Sequence, residues 1–315
     1  MSKYRHHLPQ LGSHLFLTDG GLETTLVFHE GLDLPCFAAF DLVRDERGKG
    51  IMRRYYERYI GIAKAAGLGF ILEAPTWRAN PDWAAKLGYT EEALAAANDE
   101  SIALMRDLRD AHETAGLPMV ISGNVGPRGD GYRPDSIMTP EEAEAYHRPQ
   151  VRGFSRGDAD LVSAFTITNA NEAIGITRAA MAAKIPVVVS FTLETDGRLP
   201  TGQPLSEAIA VVDSATARAP AYYMVNCVHP DHFAETLSGG GDWLKRLRGI
   251  RANASRKSHA ELDASTDLDI GDPAELGVQY RDLVRRYPQI VVAGGCCGTD
   301  HRHVERICTS CRVAA

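Results

Sequence analysis

The chain has 315 residues, 44% hydrophobic and 24% charged, with a formal net charge of −7, the composition of a globular protein whose acidic balance argues against a nucleic-acid or anionic-membrane partner. The longest apolar runs, such as Ile185 to Phe191, are far too short to span a bilayer. Met1 to His7 lacks the apolar core of a secretion signal, so the expected compartment is the reducing cytoplasm, where the six cysteines are expected as thiols or metal ligands rather than disulfides.

Taken in order, short apolar runs alternate with longer helical patterns. Leu15 to Asp19 reads as a first strand, followed by Gly20-Gly21 and a Gly- and Pro-rich excursion from His29 to Phe40. A helix is predicted from Ile51 to Ala66, a second strand over Gly69 to Glu73, and then a long loop from Ala74 to Tyr89 carrying Trp77 and Trp83. Loops of that length in compact domains are usually functional. A helix from Glu91 to Ala115 leads to a third strand over Pro118 to Ser122 and the turn-rich stretch Gly123 to Gly131. The next helix is opened by Thr139-Pro140-Glu141-Glu142, where threonine caps and proline fits the first turn.

The second half repeats the pattern. Strands are expected over Asp160 to Ser163, Pro186 to Phe191, Tyr222 to Val225, Arg248 to Ala252 and Gln289 to Ala293. Helices are expected over Glu172 to Ala183, Ser206 to Ala217, Asp231 to Leu237, Pro273 to Tyr287 and Asp300 to Thr309, with a polar, aperiodic loop from Asn253 to Asp272. Eight β-then-α units with no composition break predict one α/β domain over residues 1–315, a single (β/α)8 TIM barrel with long βα loops. An open doubly wound sheet also alternates this way, but its Gly-rich phosphate fingerprint is missing after the first strand.

In a barrel all loops that follow strands share one face. Asp19, Glu73, Asn124, Glu194, Cys227, Asn253, Cys296 and Cys297 all fall there. The pair Cys296-Cys297 lies in Gly294-Gly295-Cys296-Cys297-Gly298-Thr299, where flanking glycines free the backbone to turn both sulfurs inward. Two thiolates can share a metal ion, and Cys227 in Val225-Asn226-Cys227-Val228-His229 is the best candidate for a third. Three sulfurs on Zn²⁺ would leave one tetrahedral position open, as in a catalytic site.

Thr18-Asp19-Gly20-Gly21-Leu22-Glu23-Thr24, Gly123-Asn124-Val125-Gly126-Pro127, Val225-Asn226-Cys227 and Gly294 to Thr299 together resemble the homocysteine S-methyltransferase family, in order from about residue 15 to 305. The resemblance implies zinc held by Cys227, Cys296 and Cys297, and an amino acid substrate held in part by Asp19, Gly20 and Gly21. The implied reaction passes a methyl group from a small methylated cation, S-methylmethionine or a related sulfonium before betaine, to the thiolate of homocysteine, giving methionine. A zinc-dependent hydrolase and a non-catalytic thiol- or metal-binding protein are the competing readings. The all-thiolate set counts against the hydrolase, whose usual ligands are carboxylate and imidazole.

One departure from the family pattern bears on the substrate. Many members carry Phe-Glu-Thr-Ile-Pro-Asn where this chain has Ala164-Phe165-Thr166-Ile167-Thr168-Asn169, so Phe165 stands where the amine-binding glutamate is expected. Glu73 and Glu194, at two other strand ends, are the candidates to supply that charge to an amino acid thiol such as homocysteine or selenohomocysteine. Cys308 and Cys311 on the terminal helix lack the context of a redox motif and read as incidental, and His301 and His303 are expected to be carried away from the metal. His229 and His232 are candidates to support the metal ligands. The faces of Trp77 and Trp83 are candidates to attract a cationic donor, and Glu23 reads as a first-turn helix charge.

Overall fold

A computed structural model describes residues 2–134 and 137–312. Eight parallel strands pair in sequence order and close into a barrel: β1 Phe16–Leu17, β2 Gly69–Glu73, β3 Met119–Val125, β4 Leu161–Ile167, β5 Val187–Thr192, β6 Tyr222–Asn226, β7 Leu247–Ala252 and β8 Val292–Gly295. The principal helices after them are α1 Glu46–Ala66, α2 Glu91–His112, α3 Pro140–Arg156, α4 Ala170–Ala183, α5 Leu205–Ala215, α6 Pro230–Ser238, α7 Pro273–Arg286 and α8 His301–Arg312. The predicted barrel is therefore the observed one.

Strand residues alternate between two apolar cores, as the two-residue period requires. Phe16, Ile71, Val120, Leu161, Val188, Tyr222 and Val292 form one buried cluster, which we place within the barrel, with Leu8 among them. Their neighbours Leu17, Phe70, Met119, Val162, Val189, Tyr223 and Ala293 belong to the larger cluster that includes the helix side chains. Each such aliphatic side chain contributes about 1.5–3 kcal/mol by leaving water.

Helix boundaries follow their caps. Thr139 and Glu142 form the reciprocal capping box that starts α3, Asp45 caps α1, and left-handed Gly67 ends it. Both long loops hold a short helix, Pro81–Lys86 capped by Asn80 and His259–Asp263 capped by Ser258. Near the other end of the barrel, one oxygen of Asp160 accepts the backbone N–H groups of Lys3 and Tyr4 at 2.7 Å each. Its other oxygen takes Arg109 and the Ile121 N–H.

Strand ends differ from expectation where polar side chains face inward. β3 and β4 run on to Val125 and Ile167, their facing serines Ser122 and Ser163 bonded to each other at 2.7 Å. β1 is only two residues long: beyond Leu17 the chain parts from β2 but still approaches β8, with the Thr18 N–H on the Ala293 carbonyl and the Gly295 N–H on the Asp19 carbonyl, at 2.9 Å each. That approach needs glycine: a Cβ on Gly21 would meet the Cys296 carbonyl oxygen at 2.5 Å, and one on Gly294 would run into Thr18 Oγ1.

Candidate active site

The three cysteines predicted as ligands meet at the strand-end face. Cys227 follows β6 with a left-handed backbone, φ 53°, a conformation that costs a non-glycine residue of order 1–3 kcal/mol and persists where the surroundings hold it. After β8 the Cys296 N–H bonds the Ala252 carbonyl at 2.8 Å, and the Ala254 N–H bonds that of Cys297 at 3.1 Å, so the turn is fastened to the segment after β7. All three Sγ atoms lie within 4.8 Å of one another. Cys227 and Cys297 are 4.0 Å apart, while Cys227 and Cys296 stand in disulfide contact. Sulfurs at about 2.3 Å from a tetrahedral ion would be separated by about 3.8 Å, so the reduced trio could hold one soft metal ion.

Asn226 organises this corner. Its Oδ1 accepts the Thr166 N–H at 2.9 Å and the Ser190 hydroxyl at 2.6 Å, and its Nδ2 donates to Thr166 Oγ1 at 2.9 Å and towards Cys296 Sγ at 3.9 Å. Thr166 itself is left-handed, φ 61°, at a register shift in β4. Tyr132, from the loop after β3, places its hydroxyl 3.5 Å from Cys227 Sγ and 3.6 Å from Cys297 Sγ. Its ring stacks on His259 at 4.0 Å. Burial pulls the His259 pKa down to about 4, so this imidazole is neutral near pH 7. His259 and Tyr132 were not singled out from the sequence; one stands in the polar aperiodic loop and the other directly after the turn-rich stretch that ends at Gly131.

Beside the sulfurs lies a cavity of about 390 Å³ lined by Asp19, Gly20, Gly21, Glu73, Arg251 and the three cysteines, among others. Arg251 is the principal residue that sequence reasoning missed; its signal was a second arginine, after Arg248, inside the short run of β7. The buried guanidinium pairs with Asp19 at 2.7 Å and donates to the carbonyls of Gly295 at 2.9 Å and Gly20 at 3.0 Å. Asp19 also accepts the Tyr55 hydroxyl at 3.0 Å. Glu73 is 4% exposed, and its Oε2 has no hydrogen-bond partner. Burial drives its pKa up to about 7, against the opposing pull of Arg251.

The homocysteine S-methyltransferase family model matches residues 16–311. The chain belongs to the homocysteine S-methyltransferase family. A 148-residue stretch, 44% of the chain, is 30% identical to homocysteine S-methyltransferase of Escherichia coli (strain K12), and spans about half (47%) of that relative. The barrel is also similar to crystal structures of the homocysteine methyltransferase MmuM from Escherichia coli. For the metallated form the TM-score is 0.71 at 22% identity over 95% of this chain and 96% of that one. For the oxidised form it is 0.72 at 23% identity over 95% and 97%.

Within this homocysteine S-methyltransferase family member the other candidate residues separate. Phe165 belongs to the inner barrel cluster, with the Arg251 guanidinium 5.0 Å from its ring centroid. Glu194 lines a separate small crevice with His229, His232 and Asn253, and is not among the residues lining the main cavity. His229 caps α6 through Asp231. His303 bonds Asp300 and the Ile270 carbonyl, turned to the start of α8 as expected. Cys308 and Cys311 are buried on α8. Trp77 lines the cavity and Trp83 does not. The expectation that their faces await a cation is corrected, because Arg78 of this chain already lies over both rings, at 4.4 and 3.7 Å. Glu23 is not only a helix charge: it lines the cavity, and burial raises its pKa to about 7. Among the described residues no helix is long and apolar enough to cross a membrane.

Proposed function

We propose that this protein transfers a methyl group from a small methylated cation, S-methylmethionine or a related sulfonium before betaine, to the thiolate of homocysteine or the selenolate of selenohomocysteine, with zinc held by Cys227, Cys296 and Cys297. The observation that carries the proposal is the convergence of three sulfurs within 4.8 Å at the edge of a cavity that is also lined by buried acids suited to an amino acid's ammonium. Bound there, zinc would hold the acceptor as a thiolate, and three anionic sulfurs would keep that thiolate nucleophilic.

The residues of the chain supply position and charge. Gly20 and Gly21 let this wall of the cavity close against the turn from Cys296 to Thr299. Asp19 is committed to Arg251, so the pair holds the floor close to electrical neutrality. We assign the acceptor's ammonium to Glu73, not Glu194, because Glu73 alone of the two lines the cavity and has an unpartnered buried oxygen. An ammonium in a water-poor pocket needs such a partner. The methyl carbon is attacked in line: the carbon–sulfur bond to the acceptor forms as the bond to the donor's cationic centre breaks, with inversion at carbon. A reducing cytoplasm suits a reaction that needs all three sulfurs as thiolates.

The test is zinc analysis of the reduced protein together with turnover of homocysteine and each candidate donor. One zinc per chain and methionine formed from S-methylmethionine or betaine are expected. Fully zinc-loaded protein that forms no methionine from any small donor would overturn the activity.

A further inference from the structure

The guanidinium of Arg78 is held as a flat plate between two indoles, 4.4 Å from the Trp77 ring centroid and 3.7 Å from that of Trp83. The arrangement is braced from several sides. Trp77 Nε1 donates to the Phe165 carbonyl at 3.3 Å, and Trp83 Nε1 to that of Gly129 at 3.1 Å. Gly126 packs so closely on Trp77 that a Cβ there would meet its ring at 2.7 Å. The cation is poorly satisfied for so fixed a group. Among the described residues its one hydrogen bond is a long 3.4 Å contact from Nη1 to the Gly129 carbonyl, and its buried Nε has no partner.

Among the described residues no carboxylate forms an ion pair with it, although two of the acids that line the cavity, Asp130 and Glu23, lie near enough to act on its charge. Asp130 is turned to the backbone N–H groups of Tyr132 and Arg133, at 2.8 and 3.1 Å. Glu23 is the other, and burial there disfavours its charged form. A half-buried guanidinium without a counter-ion is costly, and the cost is recovered when a ligand brings an anion. A planar guanidinium suits a carboxylate, which it can bind through two parallel N–H bonds.

The position decides which ligand. Arg78 lines the same cavity as the sulfurs but comes from the long loop after β2, whereas the acceptor's amino acid end is assigned to the floor at Asp19 and Glu73. In-line attack puts the donor on the far side of the acceptor sulfur. Resting on the methyl-transfer reading, we propose that Arg78 is the anchor for a carboxylate on the methyl donor, so that the site selects a zwitterionic donor over a bare methylated cation.

The experiment compares the zinc-loaded parent with Arg78→Met and Arg78→Lys, using S-methylmethionine and betaine against trimethylsulfonium, which has the cation and no carboxylate. In Arg78→Met the ratio of kcat/KM for S-methylmethionine to that for trimethylsulfonium should fall about tenfold or more, mainly through KM, with part of the loss recovered in Arg78→Lys. Trp77 and Trp83 report binding directly. S-methylmethionine or betaine should change the parent's tryptophan fluorescence saturably, trimethylsulfonium should not, and Arg78→Met should lose the response. Equal losses for all donors, a rise confined to the homocysteine KM, or no fluorescence response in the parent would each overturn the assignment. A parent that responds in fluorescence but makes no methionine would refute the proposed activity and leave the anion site standing.

Discussion

Arg251 lies over the ring of Phe165, 5.0 Å from guanidinium carbon to ring centroid, while its Nη2 pairs with Asp19 at 2.7 Å. The two features belong together. A glutamate at position 165 would stand beside the same guanidinium and compete with Asp19 for it, so the aromatic residue and the arginine form a matched pair.

Phe165→Glu is therefore expected not to restore an amine site. The new carboxylate would be neutralised by Arg251, and the apolar cover of the ion pair would be lost. We expect the homocysteine KM to rise several-fold, by about 1 kcal/mol or more of binding. A KM lower than the parent's, in steady-state assays, would show that position 165 still reads the amine.

Glu73 gives the site a pH dependence. Its folded pKa, about 7, lies above the ordinary 4.5, so its contribution to stability is fully present below the ordinary value and is lost as pH rises through about 7. Glu73→Gln removes that loss. In urea unfolding the variant should gain on the parent between about pH 5 and about pH 8, by up to ~3 kcal/mol.

Substrate binding runs the other way, because the ammonium needs the ionised acid. The variant should raise the homocysteine KM about tenfold at pH 8 and leave zinc content intact. Asp19, Arg251, Ser122 and Ser163 all act on this carboxyl, so a second variant, Ser163→Ala, should raise the parent's inflection. An unaltered KM in Glu73→Gln would remove Glu73 from the site.

Tyr132 touches two of the three sulfurs through one hydroxyl. Hydrogen bonds to ligating atoms orient them and moderate their charge. Tyr132→Phe keeps the stack on His259 and deletes that bond. A loss of about 10-fold or more in zinc affinity or in turnover is expected, measured by competition with a chelator and by initial rates.

Asn226→Asp tests the corner from the other side. The change keeps shape but removes the Nδ2 donor that serves Thr166 Oγ1 and Cys296, and it adds a negative charge beside the thiolates. Zinc affinity and stability should both fall, the latter by about 1–3 kcal/mol for the unmade buried bonds. Zinc retained as tightly as in the parent would count against a supporting role.

The barrel was legible because its signal is repeated eight times and each unit confirms its neighbours. The sulfur cluster was legible because cysteine at strand ends is chemically distinctive. The glutamates were harder: both read as strand ends, but Glu73 is the last residue of β2 whereas Glu194 stands beyond the end of β5 at Thr192, in the turn from Glu194 to Arg198 with a separate crevice behind it. Arg251 was passed over because a charge in β7 carries no motif; its meaning lies in Asp19 and Phe165, which are 232 and 86 residues away. Tyr132 and Arg78 lie in loops, where periodicity says nothing about which side chains turn inward.

The two-residue β1 joins β8 at the barrel seam, where Asp19 and Gly21 bond Gly295 and Thr299, on either side of Cys296 and Cys297. β8 is the last of the eight strands to leave the ribosome, so a nascent chain can carry seven strands, Cys227 and the Asp19 and Arg251 pair yet hold one sulfur of the three. Closure of the ring and assembly of the sulfur cluster are thus one event, and a chain interrupted before residue 296 should emerge unable to hold a metal through three sulfurs however much of its barrel has formed.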